Sequence, residues 1–308
     1  MEGLASFFTG KRGEIIIQIT HVFIAAGGRH MELLVRPPRS SHRSESYGFE
    51  FLEFRTQQLS AGERAAEDTG GRELGIVLLG GQCSVESSRG AWRKIGRRRN
   101  VFSGMPYALY LPIGTRFTVT TETACDLAFC YCRAEEYFPA QLVTPADVDV
   151  EIRGAGNATR QINGIFKPDF PAHRLIVVEV YTPGGNWSSY PPHKHDVHDP
   201  PREVDLEEIY YYRIDRPEGY AIQKVYTPDR RLDETITVRD GEMVLIPEGY
   251  HPVVAAHGYN AYYLNALGGS ARSLAASDDP QYAWVRQSWR DRDPRLPLVT
   301  MEMEEMER

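Results

Sequence analysis

Met243-Val-Leu-Ile-Pro247-Glu-Gly249 reads as a short apolar strand running into a Pro-x-Gly turn. Proline presets φ for such a turn and glycine tolerates a positive φ there. The same pattern stands at Ala108-Leu-Tyr-Leu-Pro112-Ile-Gly114, so two similar units are expected. Working outward, short apolar runs recur at 75–79, 175–181, 209–212 and 221–226, broken by Gly, Pro, Asp and Asn. They are rich in Val, Ile, Leu and Tyr, and most of these residue types fit a pleated, half-buried surface. Long amphipathic helices are hard to find; the best helical stretch is Asp279–Trp289. The pattern is that of an all-β sandwich or barrel.

A chain of 308 residues is long enough for two domains with their own cores. The 42% hydrophobic and 25% charged fractions are ordinary for a soluble globular protein. The net charge of −7 offers no general attraction to nucleic acid or an anionic membrane. An acidic substrate would need a local group of Arg or Lys to offset that field. Cys83, Cys125, Cys130 and Cys132 form no C-x-x-C pair and are expected as reduced, buried thiols in a cytoplasmic protein. Cys130 and Cys132, two apart on a strand, would share a packed face.

The chemistry concentrates in the second unit. In Pro191-Pro-His193-Lys-His195-Asp196 the two histidines sit two apart, and on a strand both imidazoles point into one cavity. Lys194 between them points away, toward a surface or interface. Downstream, Glu207-Glu208-Ile-Tyr210-Tyr-Tyr212 starts a strand with a carboxylate, and Glu208, Tyr210 and Tyr212 share a face. His251 follows the Pro-x-Gly turn. Three histidines and a carboxylate can hold a divalent ion with positions left open for a substrate.

H-x-H, then Glu, then Gly-x5-Pro-x-Gly with a nearby His, resembles the two-part signature of the cupin superfamily. YPPHKHD at 190–196, LEEIYYYR at 206–213, GYHPV at 249–253 and YYLNALGG at 262–269 narrow the resemblance to the 5-deoxy-glucuronate isomerase family. It covers most of residues 31–298 and implies two tandem cupin jelly-roll barrels, a bicupin. It further implies an aldose–ketose isomerase of bacterial myo-inositol catabolism, acting on a small sugar acid and independent of membranes and nucleic acid. A homo-oligomer is expected.

Carried over by position, the implied metal ligands are His193, His195, Glu208 and His251, with Glu207 a rival to Glu208. The ion expected is Zn or Mn, with Fe or Ni as alternatives. Glu207, Glu208 and Tyr210 are the candidates for proton transfer. Arg213, Lys224, Arg230 and Tyr212 are the candidates for substrate binding. The alternatives are a related 5-keto-4-deoxyuronate ketol-isomerase and an iron-dependent cupin dioxygenase.

Four stretches are expected. Residues 1–30 are either an extra strand or sequence upstream of a true start at Met31. Residues 31–150 form a first unit with a single histidine, His42, hence a degenerate cupin without a metal site. Residues 151–298 form the metal-binding cupin, and 299–308 an acidic tail.

Overall fold

The structure, a computed structural model, describes residues 23–24, 30–36 and 44–304. The expected extension over 1–30 thus lies outside the described residues, save for Phe23–Ile24 paired with His30–Met31; His42 and residues 305–308 lie outside them too.

The described residues are all-β, with every strand pair antiparallel; each half of the chain builds two main sheets, and two further pairs join Phe23–Ile24 to His30–Met31 and His193–Lys194 to Ser277–Asp278. In the first half a five-stranded sheet runs Gln141–Val143, Ala108–Leu111, Arg72–Gly80, Cys125–Arg133, Leu52–Leu59. It packs on a four-stranded sheet, Arg64–Asp68, Arg116–Thr121, Cys83–Ser87, Gly90–Ile95. In the second half a seven-stranded sheet runs Asp149–Arg153, Arg160–Phe166, Ile176–Thr182, Ala261–Gly269, Leu206–Ile214, Met243–Ile246, Leu34–Val35. Its partner is Trp187–Ser188, Val253–Ala255, Ala221–Tyr226, Asp233–Val238. The two Pro-x-Gly strands hold equivalent places. Ala108–Leu111 pairs with Arg72–Gly80, and Met243–Ile246 with Leu206–Ile214. The internal repeat is therefore a repeat of topology.

Several boundaries differ from expectation. Leu34–Val35 pairs with Met243–Val244, so the start of the described chain crosses into the second half. Asp149–Arg153 spans the expected division at 150 and pairs with Arg160–Phe166; the link is the one-turn 3-10 helix Pro145–Asp147. The stretch 279–289 holds one α-helical turn, Val285–Ser288. Val299 is buried, and Gln161 bonds both its N–H and its carbonyl. The acidic end is thus anchored where it begins. Among the described residues no helix is long and apolar enough to cross a membrane.

The central strands of the seven-stranded sheet are buried on both faces. Successive side chains on a strand point to opposite sides, and this sheet uses both. Ile209, Tyr211, Tyr262, Leu264 and Ala266 pack against Phe54, Val77, Tyr110, Cys130 and Cys132 of the first half. Tyr210, Tyr212, Tyr263 and Leu267 face the interior of the second. Polar clasps fix the first contact. Glu73, fully buried, accepts the N–H groups of His173, Arg174 and Leu175 at 2.6–2.8 Å. Glu207 answers from the second half, accepting the N–H groups of Glu50, Phe51 and Leu52 at 2.5–3.0 Å.

Between the halves Arg98 and Glu179, both buried, form a 2.5 Å ion pair, and the hydroxyls of Tyr181 and Tyr262 also donate to Glu179. Removing one member of a buried pair strands the other charge. Glu179→Leu is therefore expected to lower unfolding stability by about 3–5 kcal/mol, read as the urea midpoint. Adding Arg98→Met should recover most of that loss.

Candidate metal centre

Four adjacent strands of the seven-stranded sheet line one cavity with alternate residues. Arg160 and Ile162, Val178 and Val180, Tyr263, Asn265 and Leu267, and Glu208 and Tyr210 all face it. His193, His195 and Ser189 close it from the segment that follows the neighbouring sheet's first strand.

His195, Glu208 and His251 are buried, and one ligand atom from each lies within 4.8 Å of the others. The His193 ring packs edge-on to His251 at 4.9 Å between centroids and 6.3 Å from His195. All three histidines thus gather where sequence spacing places them, with His193 at the open side of the tighter trio.

Hydrogen bonding decides what the trio can hold. His195 Nδ1 lies 3.0 Å from the Leu206 carbonyl and His251 Nδ1 2.8 Å from the Gly249 carbonyl. A carbonyl only accepts, so each Nδ1 carries a hydrogen, and in the neutral ring each Nε2 presents a lone pair. Both Nε2 atoms converge on Glu208 Oε2, at 3.0 Å from His195 and 3.2 Å from His251. His251 Nε2 is buried without a hydrogen bond. Three lone pairs aimed at one point repel unless a cation lies among them, so the donor set fits a divalent ion.

The protonation equilibria follow. Burial alone would raise the Glu208 pKa, but with no ion among the three, His195 and His251 protonated at Nε2 hold it down at about 2. Burial depresses His195, and the hydrogen bond and charge of Glu208 more than restore it. Burial, reinforced by His251 and His195, pushes His193 well below its usual value, so it is a neutral imidazole near pH 7. Tyr210 is pushed well above the ordinary tyrosine value by burial and the Glu208 carboxylate; it stays protonated.

A network outside the cavity holds the two motifs in register. Asp196 Oδ2 accepts the Gly249 N–H at 2.7 Å, two residues before His251. Gly249 has φ +86°, and a Cβ there would lie 2.5 Å from the Tyr226 carbonyl, so the turn requires glycine. Lys194 donates to Asp196 at 2.5 Å and to Glu203 at 2.8 Å, and Glu203 accepts the N–H groups of Asp196 and Val197. Lys194 does point away from the histidines, but it braces the loop 196–203 against their strand instead of serving a surface. His198, within that loop, is exposed and bonds Asp205.

Five residues that the sequence offers as candidates lie elsewhere, and each needs correcting as a cavity residue. Glu207 faces the first half and spends its carboxylate on three backbone N–H groups. Arg213 shares that parity and is held by Asp126 at 2.5 Å and Asp240 at 2.8 Å. Tyr212 lies one layer deeper than Tyr210, its hydroxyl bonded to Gln223. Lys224 is paired with Asp233, and Arg230 packs over the Tyr226 ring and also reaches Asp233. Opposite charges already neutralise these cations. Sequence reasoning missed Arg153, Arg160, Ser189 and Asn265. Asn265 was within reach, because it shares a face with Tyr263 and Leu267, two residues away on either side of one strand. Ser189, at φ +49°, bonds the Tyr210 hydroxyl at 2.9 Å; its backbone conformation leaves no mark in sequence.

With this geometry in view, the likenesses to known proteins fall into place. The profile of the KduI/IolB family matches residues 35–285. The chain is 44% identical over 245 residues to the 5-deoxy-glucuronate isomerase of Geobacillus thermodenitrificans (strain NG80-2), covering 79% of this chain and 89% of that one. It is 38% identical over 237 residues to the 5-deoxy-glucuronate isomerase of Bacillus subtilis (strain 168), covering 76% and 88%. The crystal structure of an IolB-like protein from Salmonella typhimurium LT2 superposes with a TM-score of 0.80 at 37% identity, covering 82% of this chain and 98% of that one. Bacillus subtilis oxalate decarboxylase, at 11% identity and a TM-score of 0.58 over 82% of this chain and 80% of its own, shares the fold alone. On sequence and fold together, this chain belongs to the KduI/IolB family.

Proposed function

We propose that the chain isomerises 5-deoxy-D-glucuronate to 5-dehydro-2-deoxy-D-gluconate, an aldose–ketose conversion in myo-inositol catabolism. The observation that carries this is the convergence of His195 Nε2, His251 Nε2 and Glu208 Oε2 on one point in a buried cavity. Supporting it are the relatives at 38–44% identity, named for that reaction. In this reading His193 completes a set with His195, Glu208 and His251 around a divalent ion, Zn or Mn in first place, and the two sheets of each half form a cupin barrel. The small-molecule partner is a sugar acid, and the protein works as a homo-oligomer in the cytoplasm.

The reaction moves the C2 proton to C1 and the O2 hydroxyl proton to O1, so it needs no oxidant. When bound, a divalent ion supplies Lewis-acid polarisation of the carbonyl and hydroxyl oxygens. Of the two carboxylates weighed as proton carriers, only Glu208 touches the cavity. It takes the C2 proton and returns it to C1. A carboxylate that would also hold the ion is a weak base, so it depends on that polarisation to work on carbon. Tyr210, kept protonated, donates its hydroxyl to a substrate oxygen, oriented by Ser189. Aliphatic walls at the buried Val178 and Leu267 and the partly buried Ile162 limit water.

The test is incubation with 5-deoxy-D-glucuronate, with product followed by NMR. Activity is expected to vanish after exhaustive chelation and return with Zn²⁺ or Mn²⁺. His251→Ala should lose at least about 10³-fold in kcat/KM, while Arg230→Ala stays within a few-fold of the parent. Undiminished turnover by fully metal-free protein would overturn the mechanism, and preferential turnover of 5-keto-4-deoxyuronate would reassign the substrate. Asp196→Ala, which frees the Gly249 N–H, is expected to weaken binding of Mn²⁺ by roughly 10- to 100-fold in calorimetric titration of metal-free protein.

A further inference from the structure

Three arginines among the described residues are almost wholly buried: Arg55, Arg98 and Arg160. Arg98 is paired with Glu179 and Arg55 with Glu67. Arg160, only 4% exposed, has no carboxylate within ion-pair distance among the described residues. Its Nη1 donates to the carbonyls of Ala158 at 3.1 Å and Tyr190 at 3.2 Å. Its Nε and Nη2 find no acceptor among the described residues, and the side chain lines the same cavity as His193, His195 and Glu208. Burial of the charge, opposed by Tyr263 and the more distant Glu151 and reinforced by Arg153 and Arg286, lowers its pKa to about 10. A guanidinium left buried without a counter-charge is costly, and proteins rarely keep one unless something else supplies the anion.

Arg153 also lines the cavity, but it is already satisfied by two bonds to Glu151 at 2.8 and 2.6 Å. The carbonyl contacts of Arg160 account for one of its three nitrogens. The remaining fork has the planar donor geometry that matches a carboxylate bidentately.

We propose that Arg160 is the substrate-carboxylate anchor, its Nε and Nη2 binding the acid end of a small sugar acid whose other end meets the histidine–glutamate trio. The identity of that acid rests on the isomerase reading; the anion specificity does not. Orientation follows from having one cationic fork and one ligand trio in a single cavity: a substrate with a carboxylate at one terminus and an aldehyde with its neighbouring hydroxyl at the other can enter productively one way round.

The experiment pairs kinetics with binding on the metal-loaded protein. Arg160→Gln is expected to raise KM for 5-deoxy-D-glucuronate roughly 10- to 100-fold, with kcat changing less than KM. Arg160→Lys should recover part of the loss. In calorimetry the parent should bind D-glucuronate more tightly than uncharged D-glucuronamide, and Arg160→Gln should abolish that preference. A KM within about threefold of the parent overturns the assignment, as does a preference for the acid that survives in Arg160→Gln, which would put the carboxylate at the metal trio. Should Arg160→Gln fail to fold, equal affinity of the parent for acid and amide overturns the assignment, and a preference for the acid that Arg160→Lys retains upholds it. If the parent binds D-glucuronate in an Arg160-dependent way yet leaves 5-deoxy-D-glucuronate unchanged, the anchor stands and the isomerase reading falls.

Discussion

The seven-stranded sheet has no face turned to solvent along its central strands, and that constraint organises the molecule. A strand offers two sides with a period of two. Here one side belongs to the contact between halves and the other to the cavity. Leu206–Ile214 shows this residue by residue: Glu207, Ile209, Tyr211 and Arg213 serve the junction, and Glu208 and Tyr210 serve the cavity. A register slip of one residue would exchange the two sets, exposing Glu208 to the interdomain core and Glu207 to the histidines. The clasps by Glu207 and Glu73 on backbone N–H groups resist such a slip, because they fix the strands to particular residues across the junction.

The same constraint gives the first half its part in the fold. It repeats the strand order of the second half, yet what it contributes is packing. Phe54, Val77 and Tyr110 cover the back of the sheet that carries the site. Arg98 reaches across to Glu179, whose strand neighbours Val178 and Val180 line the cavity. The rear support of the ligand strands is thus covalently distant from them, and Leu34–Val35 completes the exchange by extending the second half's sheet from the chain's beginning. Two units that share strands and clasps in this way would be poorly stable apart.

Much of this was legible in sequence, and the limits have physical causes. The β class, the topological repeat and the gathering of His193, His195, Glu208 and His251 follow from short-range patterns: apolar runs, a Pro-x-Gly turn, and spacing by two. The choice of Glu208 over Glu207 follows from parity with Tyr210. Arg213, offered as a substrate residue, stands five residues beyond Glu208 and so on the opposite side of the strand. Arg230 and Lys224 had to await the structure, because the partner that neutralises both, Asp233, acts across a hairpin. Arg160 carries no local signal at all. It lies thirty-three positions before His193, in no motif, and its meaning comes from what is missing around it. An absent counter-ion is a property of three-dimensional surroundings, which residue spacing does not encode.

Charge accounting joins these observations. The whole chain is at −7, a field that disfavours an acidic ligand. Inside the cavity the balance differs. Glu208 contributes one negative charge and Arg160 one positive, Arg153 is cancelled by Glu151, and His193 is held neutral. The protein groups sum to about zero. A divalent ion among three lone-pair donors makes the site net positive, and within a low-dielectric interior that local charge outweighs the distant surface field. The cavity then favours a ligand bearing one fixed negative charge and able to develop a second as its C2 proton leaves. Burial that makes Arg160 expensive in the empty protein is the same burial that makes its bond to an anion strong, so its strain before binding and its selectivity after it have a common origin.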